Sequence, residues 1–204
     1  MPTCHKCNST YGELENELLT QLAICVDPNA AASSGIAARV LRGLDPTQAS
    51  NERDANARLR KRERLLAGML QGDDIPTDGI YPGLGERWGR PSGSGLAFAI
   101  PESSFRLLTE KIVRGIAYIE NGTFIEPTHR IDFYALHAAS AREFREMITQ
   151  YGTEYDRGAG IRIVRAVALE DGVSAVMSIE IWKSFTMYAS VVQVTEPLYQ
   201  LSGD

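Results

Sequence analysis

Two cysteines near the N-terminus have the spacing of metal ligands. Cys4 and Cys7 form a Cys-x-x-Cys motif, in which two thiolates on a tight turn can bind one tetrahedral zinc ion. A closed structural zinc site needs four ligands, and the chain has no second Cys-x-x-Cys or Cys/His pair at a suitable distance. The motif therefore predicts half of a zinc knuckle; the alternative is a chance pair or remnant that binds no metal.

Four other residues are candidates for the missing zinc ligands. His5 lies inside the turn, and Cys25 lies on the apolar stripe of a predicted helix, where a buried thiol is the simpler interpretation. His129 and His137 are distant in sequence, and no spacing favours them. A homodimer that shares one ion is another way to complete the site.

The most basic stretch of the chain is a predicted helix from Asn51 to Leu70. Its candidates for contact with nucleic-acid phosphates are Arg58, Lys61, Arg62 and Arg64. Cations along one side of a helix release counterions when they bind a duplex. The alternative is a solvated helix face with internal ion pairs, because the charge run contains no interleaved aromatic residues.

The remaining polar candidates carry less specific signals. Lys111 and Arg114 are three residues apart on a predicted helix and could hold an anion, although surface solubility explains them equally well. A predicted strand is flanked by or contains His129, Arg130, Asp132 and His137. No nucleophile or metal motif accompanies these residues, so ordinary structural or exposed histidines are the simpler interpretation. The Gly-rich pieces at 83–85 and 93–95 lack the ending of a phosphate loop and are interpreted as linker.

Helical periodicity organises the first third of the chain. Apolar residues at spacings of three and four predict helices over Tyr11–Val26, Ala30–Leu44 and Asn51–Leu70. Asp-Pro pairs end the first two. Residues 72–95 are rich in Gly, Pro, Asp and Ser, which is typical of a long loop or an interdomain connection.

The rest of the chain predicts a sheet with two helices. Apolar patterns and turn residues predict a strand at 96–100, a helix around 105–119 ended by Asn121-Gly122, a strand at 129–136, a helix from Ser140 to Gln150, a hairpin of 161–169 and 173–181 about Asp171-Gly172, and a strand at 185–194. We expect a mainly antiparallel sheet with helices on one face. The fold class is α+β, with a helical module at 1–72, a linker at 73–95 and an α+β domain at 96–204.

Composition and charge set broad limits on function. The chain has 44% apolar residues, 23% charged residues and a formal charge of -5, which is typical of a globular protein and not of one coated with cations. No run of about 18 apolar residues predicts a membrane span. Three cysteines are too few for a secreted disulfide framework. We therefore expect a cytoplasmic protein.

The N-terminal motif resembles part of a known family. The segment Cys4-His5-Lys6-Cys7-Asn8, followed by Tyr11-Gly12-Glu13 and a leucine-bearing helix, resembles the second half of the zinc knuckle in bacterial HNH-endonuclease-like proteins. Residues 111–115 and 182–194 are also similar to C-terminal parts of such proteins. The resemblance implies that Cys4 and Cys7 are structural zinc ligands and that Asn8 helps to hold the active-site loop.

The same resemblance implies a connection with metal-dependent DNA cleavage. That reaction needs a histidine that activates water and a divalent metal that stabilises the developing charge. The strand carrying this histidine would precede residue 1, so either the reading frame starts upstream or the chain is a natural truncation. We expect an HNH-endonuclease-like zinc-binding protein that is truncated or inactive, with DNA as its partner. The alternative is a non-catalytic interaction module.

Overall fold

The computed structural model describes residues 5–26, 31–71, 74, 96–122, 124–134, 138–156, 158 and 160–194, without the side chains of 5–8, 10, 32, 96 and 138–140. These residues divide into two compact units. One is drawn from Met1–Leu14 and Glu102–Asp204, and the other from Glu15–Pro101. No helix within the described ranges is long and apolar enough to cross a membrane.

Three helices and a short ribbon account for most of residues 5–98. They are α1 (His5–Ile24), α2 (Ile36–Leu44), α3 (Glu52–Ala67), β1 (Met69–Gln71) and β2 (Leu96–Phe98). Leu18 and Leu22 are one turn apart on α1 and are buried. The side chain of Asn51 caps α3 by accepting a hydrogen bond from the backbone N–H of Asp54 at 2.9 Å.

The three predicted helices are present with different bounds. Helix α1 begins at His5 rather than Tyr11, so the segment predicted as a tight turn is helical from His5 onward. Helix α2 begins only at Ile36, after a 3-10 turn at Ala31–Ser33. Gly68 ends α3 by donating to the carbonyls of its last turn, and Met69–Gln71 is a strand although the predicted helix continued to Leu70.

Strands β1 and β2 bracket the segment that was predicted as a linker. They pair antiparallel, with Met69 opposite Phe98. Strand β2 therefore clusters with the helices of residues 15–101. Apart from Asp74, the predicted linker at 73–95 lies outside the described residues, as do the two Gly-rich pieces. The domain bounds 1–72 and 96–204 stay a prediction.

A five-stranded antiparallel sheet and two helices form the other unit, which confirms the predicted α+β fold class. The strand order is β3-β7-β6-β5-β4, with every neighbouring pair antiparallel. The elements are α4 (Glu102–Asn121), β3 (His129–Tyr134), α5 (Ala138–Tyr151), β4 (Thr153–Asp156), β5 (Ile161–Val167), β6 (Ala175–Ile181) and β7 (Phe185–Gln193).

The two helices cover opposite faces of the sheet, so the expectation of helices on one face is wrong. Thr109 of α4 donates a hydrogen bond to the sulfur of Met187 on β7 at 3.4 Å. The next residue of β7, Tyr188, points to the other face and packs with Ile148 of α5 and with Val164. Met187 and Tyr188 are both buried, so β7 is covered on both of its faces at these residues. We call the two sides the α4 face and the α5 face.

Several local predictions for the sheet unit can be scored. The β5–β6 hairpin is confirmed, and Gly172 in its turn has a φ of 67°. The end of α4 at Asn121, followed by Gly122 with a φ of 64°, is also confirmed. Helix α5 begins at Ala138, so Ser140 lies inside it and is not its N-cap. The short strand β4 was not predicted.

Candidate functional site

The described residues do not assemble the predicted zinc site. Cys4 lies outside them, and Cys7 and Asn8 lie in the first turn of α1 without described side chains. No three His, Cys, Asp or Glu side chains within the described ranges are placed to hold a metal ion. Burial raises the pKa of the Cys25 thiol to about 11, so this residue is a neutral thiol at pH 7 and a poor ligand. His137 also lies outside the described residues.

Zinc binding by the Cys4–Cys7 pair therefore stays a prediction that zinc analysis can test. We expect about one zinc ion per chain in the purified protein, lost in the Cys4→Ser/Cys7→Ser variant, if ligands complete the knuckle within one chain. A content of about one half would indicate a dimer that shares the ion. A chain without zinc would contradict the prediction.

Three exposed arginines lie along one side of α3. Arg53, Arg60 and Arg64 are separated by seven and four residues, which places them on one helical stripe with Ala57 between the first two. We call this stripe the arginine face. At about 1.5 Å of rise per residue, the three arginines span roughly 16 Å along the helix. A shallow surface recess at its centre is lined by Ala57, Arg60, Glu63 and Arg64.

The arginine face carries positive charge that the described residues do not neutralise. Helix α3 contains six basic and three acidic side chains. Two of the acidic side chains, Glu52 and Asp54, lie in its first turn, where they favour the helix dipole. Among the described residues, no carboxylate forms an ion pair with Arg53, Arg60 or Arg64. Their guanidinium groups are therefore available to an external anion.

Arg58, a predicted phosphate contact, has a structural role instead. Its Nε donates to the Asp54 carboxylate at 3.0 Å. Its Nη1 donates to the carbonyl of Arg42 at 3.0 Å and to that of Asp45 at 3.4 Å. These carbonyls lie at the end of α2, so Arg58 caps α2 and fixes α3 beside it.

The other two predicted contacts point away from the arginine face. Lys61 donates from Nζ to the side-chain carbonyl of Asn16 on α1 at 2.7 Å, and burial, followed by the nearby Arg64, lowers the pKa of Lys61. Arg62 is exposed and lies on the other side of α3, about half a helical turn from the arginine face. With Asp45, it borders an apolar groove of about 330 Å³ lined by Ile24, Leu41, Leu44, Leu65, Leu66, Met69 and Phe98.

Only Arg64 of the four predicted contacts therefore belongs to the arginine face. Sequence reasoning did not select Arg53 and Arg60 as contacts. The sequence did contain a signal for them. Arg53 lies seven residues before Arg60, and Arg60 lies four residues before Arg64, and these spacings place all three on one side of a helix. Whether any of these residues contacts nucleic acid stays a prediction.

Lys111 and Arg114 do not converge on an anion. The Nζ atom of Lys111 lies 5.4 Å from the centre of the Tyr11 ring, in a cation–π contact. Arg114 donates from Nη1 to the carbonyl of Ile125 at 3.1 Å and from Nη2 to Glu110 at 3.1 Å. Each of the two cations is therefore engaged by a group on or near α4.

His129 belongs to a hydrogen-bonded turn rather than to a catalytic pair. Its side chain is 9% exposed, and its Nε2 lies 3.4 Å from the Asp171 carboxylate. Its Nδ1 lies 3.2 Å from the hydroxyl of Thr128. The hydroxyl of Ser174 donates to Asp171, and no contact joins it to the histidine. The arrangement lacks the nucleophile–base contact of hydrolases, which agrees with the structural interpretation of His129.

Arg130 and Asp132 pair with each other on β3 at 2.9 Å.

Asp171 is the acceptor at the centre of this turn. Hydrogen bonds from the Ser174 hydroxyl and from the backbone N–H groups of Val173 and Ser174, with a smaller contribution from His129, hold the pKa of the Asp171 carboxyl far below its usual value. A lowered folded-state pKa means that the ionised carboxylate stabilises the fold above the unfolded pKa of about 3.9. This stabilisation is lost as the pH falls toward the folded pKa.

Replacement of Asp171 by asparagine should remove this pH dependence. At about pH 7 we expect the Asp171→Asn variant to have a lower free energy of unfolding than the unmodified protein, and at about pH 3 we expect the gap to be narrower. Urea unfolding at both pH values measures the gap. Asp156→Asn is the control, since Asp156 accepts one hydrogen bond, from the N–H of Gly158. A gap for Asp171→Asn that widens in acid would contradict the expectation.

Comparison with known protein families, with curated proteins and with solved structures gave no match. A proposal about function therefore depends on the residues of this chain.

Proposed function

We propose that this chain binds the phosphate backbone of nucleic acid through the arginine face of α3, and that it binds without cleaving. The observation that supports this function is the set of three exposed arginines on one side of a helix, with no ion-pair partner among the described residues. Guanidinium groups bind phosphate oxygens through charge-assisted hydrogen bonds. The binding would be independent of base sequence, because phosphate contacts carry no sequence information.

Charge distribution also supports a localised interface. The whole chain has a formal charge of -5, whereas α3 has three more basic than acidic side chains. Among the described helices α3 has the largest excess of basic over acidic side chains, so a polyanion would be attracted to this acidic protein most strongly there. We therefore expect one binding orientation and moderate affinity, with DNA as the first partner to test.

In this proposal, the resemblance to HNH-endonuclease-like proteins indicates a common origin and not nuclease activity. Cleavage in that family would require a catalytic histidine and a divalent metal, and the chain has no identified counterpart of that histidine. His129 is buried and bonded to Asp171. Zinc would act as a structural element at Cys4 and Cys7. We expect duplex binding without nicking.

One observation favours the second candidate, an interaction module whose ligand is not nucleic acid. The apolar groove beside Arg62 has Leu41 and Leu66 on its walls, and these side chains are 56% and 57% exposed. Exposed leucines around a groove are a common feature of surfaces that bind apolar ligands. Such a module would show no dependence of duplex affinity on the arginine face.

The test is the affinity for a short fluorescent DNA duplex, measured by anisotropy at low salt. We expect Arg60→Gln/Arg64→Gln to bind about tenfold more weakly, or weaker still, because two phosphate contacts are lost. Arg106→Gln/Arg142→Gln is the matched control, since it removes the same charge from exposed positions on α4 and α5. An equal loss in both double variants, or no binding by the unmodified protein, would contradict the proposal.

A further inference from the structure

Arg165 on β5 is a buried cation without a full set of partners. Its side chain is 2% exposed, and its Nε and Nη1 atoms have no hydrogen-bond acceptor among the described residues. Burial lowers the pKa of the Arg165 guanidinium, with a smaller opposing effect of Tyr155, yet arginine stays protonated in proteins. A buried charge without a counter-charge is costly, so such a group calls for an explanation.

The strands around Arg165 offer no counter-charge on its side of the sheet. Residues directly opposite in the register share a face, so Arg165 lies on the α4 face with Thr153 of β4 and Met177 of β6. The acidic residues of the described strands all lie on the α5 face: Asp132, Glu154, Asp156 and Glu180. The described sheet therefore places a cation on a face that has no strand carboxylate.

A second arginine on the same strand shows the contrast. Arg162 lies on the α5 face and is half-buried, and its Nε and Nη2 atoms both donate to the Glu154 carboxylate at 2.7 Å. Within β5, the half-buried Arg162 has a bidentate carboxylate partner, whereas the fully buried Arg165 has none among the described strands. Pairing with a strand carboxylate explains the position of Arg162 but does not explain why Arg165 is buried.

We propose that Arg165 and the hydroxyl of Thr153 form a binding site for a small oxyanion, a phosphate or a carboxylate group, at the β4–β5 edge of the sheet. Thr153 is directly opposite Arg165, and Tyr155 follows it on the same face of β4. The Thr153 hydroxyl can donate to an oxygen acceptor. An oxyanion accepts hydrogen bonds from guanidinium and hydroxyl donors together, which a cation or an apolar ligand does not.

The position of β4 supports access to this site. Strand β4 is an edge strand, with β5 as its one described neighbour in the sheet. Thr153 is exposed and Tyr155 is half-buried. Arg165 itself is buried, so an anion would reach it only when the edge strand β4 opens locally beside Thr153.

The experiment is thermal unfolding of the whole chain in inorganic phosphate, in acetate and in chloride at equal ionic strength. Phosphate stabilises many proteins by exclusion from their surfaces, so the informative quantity is the difference between variants. A ligand of the folded state raises Tm progressively with its concentration. We expect such a rise for the unmodified protein and for Arg162→Met, a smaller rise for Thr153→Val, and no specific rise for Arg165→Met.

Each outcome of this experiment decides the proposal. A specific rise in phosphate alone identifies a phosphate group as the ligand, and a rise in acetate alone identifies a carboxylate. The same anion dependence in the unmodified protein and in Arg165→Met would overturn the proposal. If Arg165→Met does not fold, Thr153→Val decides, because it keeps the arginine and removes one donor; an unchanged anion affinity there would also overturn it.

Discussion

Replacement of Gly152 by alanine is expected to lower the free energy of unfolding by about 3 kcal/mol or to prevent folding of the sheet unit. Gly152 joins α5 to β4, and an added Cβ would overlap the carbonyl oxygen of Ile148. The same atom would lie 2.9 Å from Cγ1 of Val164 and 3.1 Å from the carbonyl oxygen of Arg165. Two of these three neighbours are backbone atoms of α5 and β5, which cannot move aside independently.

Urea unfolding of Gly152→Ala measures this effect, with Gly115→Ala as its control. Gly115 lies inside α4, where the added Cβ would meet no described heavy atom within 4 Å apart from its chain neighbours and the backbone of its own helix. The helix propensity of alanine should therefore stabilise that variant by about 0.5–1 kcal/mol. If Gly152→Ala were as stable as the unmodified protein, the close approach of α5 to β5 described here would be wrong.

Replacement of Arg165 by methionine is expected to raise the free energy of unfolding by about 2 kcal/mol in chloride buffer. Methionine has a similar length, fills an irregular apolar space and carries no charge. Arg165 is fully buried with two nitrogens unpaired within the described part of the chain, so the substitution removes a desolvation cost and loses few contacts.

The same unfolding measurement applied to Arg162→Met provides the comparison for Arg165. Arg162 is half-buried at the surface and paired with Glu154, so its loss should lower stability slightly. A strong loss of stability in Arg165→Met, as for other broken buried ion pairs, would show that the guanidinium has a counter-charge in the folded protein in chloride buffer.

Local sequence signals predicted the elements that carry them strongly. The β5–β6 hairpin has alternating apolar residues around an Asp171-Gly172 turn, and both features are present in the structure. Strand β4 was missed because it is four residues long, polar and at a sheet edge. The turn between β6 and β7 places Trp182 and Lys183 at φ values of 52° and 53°, where the sequence has neither glycine nor asparagine to indicate a left-handed backbone.

To predict that α4 and α5 cover opposite faces of the sheet, the apolar residues on both sides of each strand must be considered. Alternating apolar residues such as Ile161 and Ile163 indicate one buried face, whereas Val164 and Tyr188 lie on the opposite face and pack against α5. In the same way, Arg165 occupies an inward position between Ile163 and Val167, and a cation in such a row was an available signal.

The sequence predicted which helix forms the candidate interface, but not which residues of that helix form it. Charge composition identified α3 as the basic element. The roles of Arg58 and Lys61 depend on the carbonyl of Arg42 and on Asn16, which are distant in sequence. No pattern within α3 reveals such tertiary partners. The helical stripe of Arg53, Arg60 and Arg64 could have been found from spacing alone.

The salt dependence of duplex binding tests the central claim most directly. Anisotropy titrations of the unmodified protein over a series of KCl concentrations give the slope of the logarithm of the association constant against that of the salt concentration. Three phosphate contacts by Arg53, Arg60 and Arg64 predict a slope of about -2.7, and the Arg60→Gln/Arg64→Gln variant should give about -1. A slope near zero, or the same slope in both proteins, would contradict binding through the arginine face.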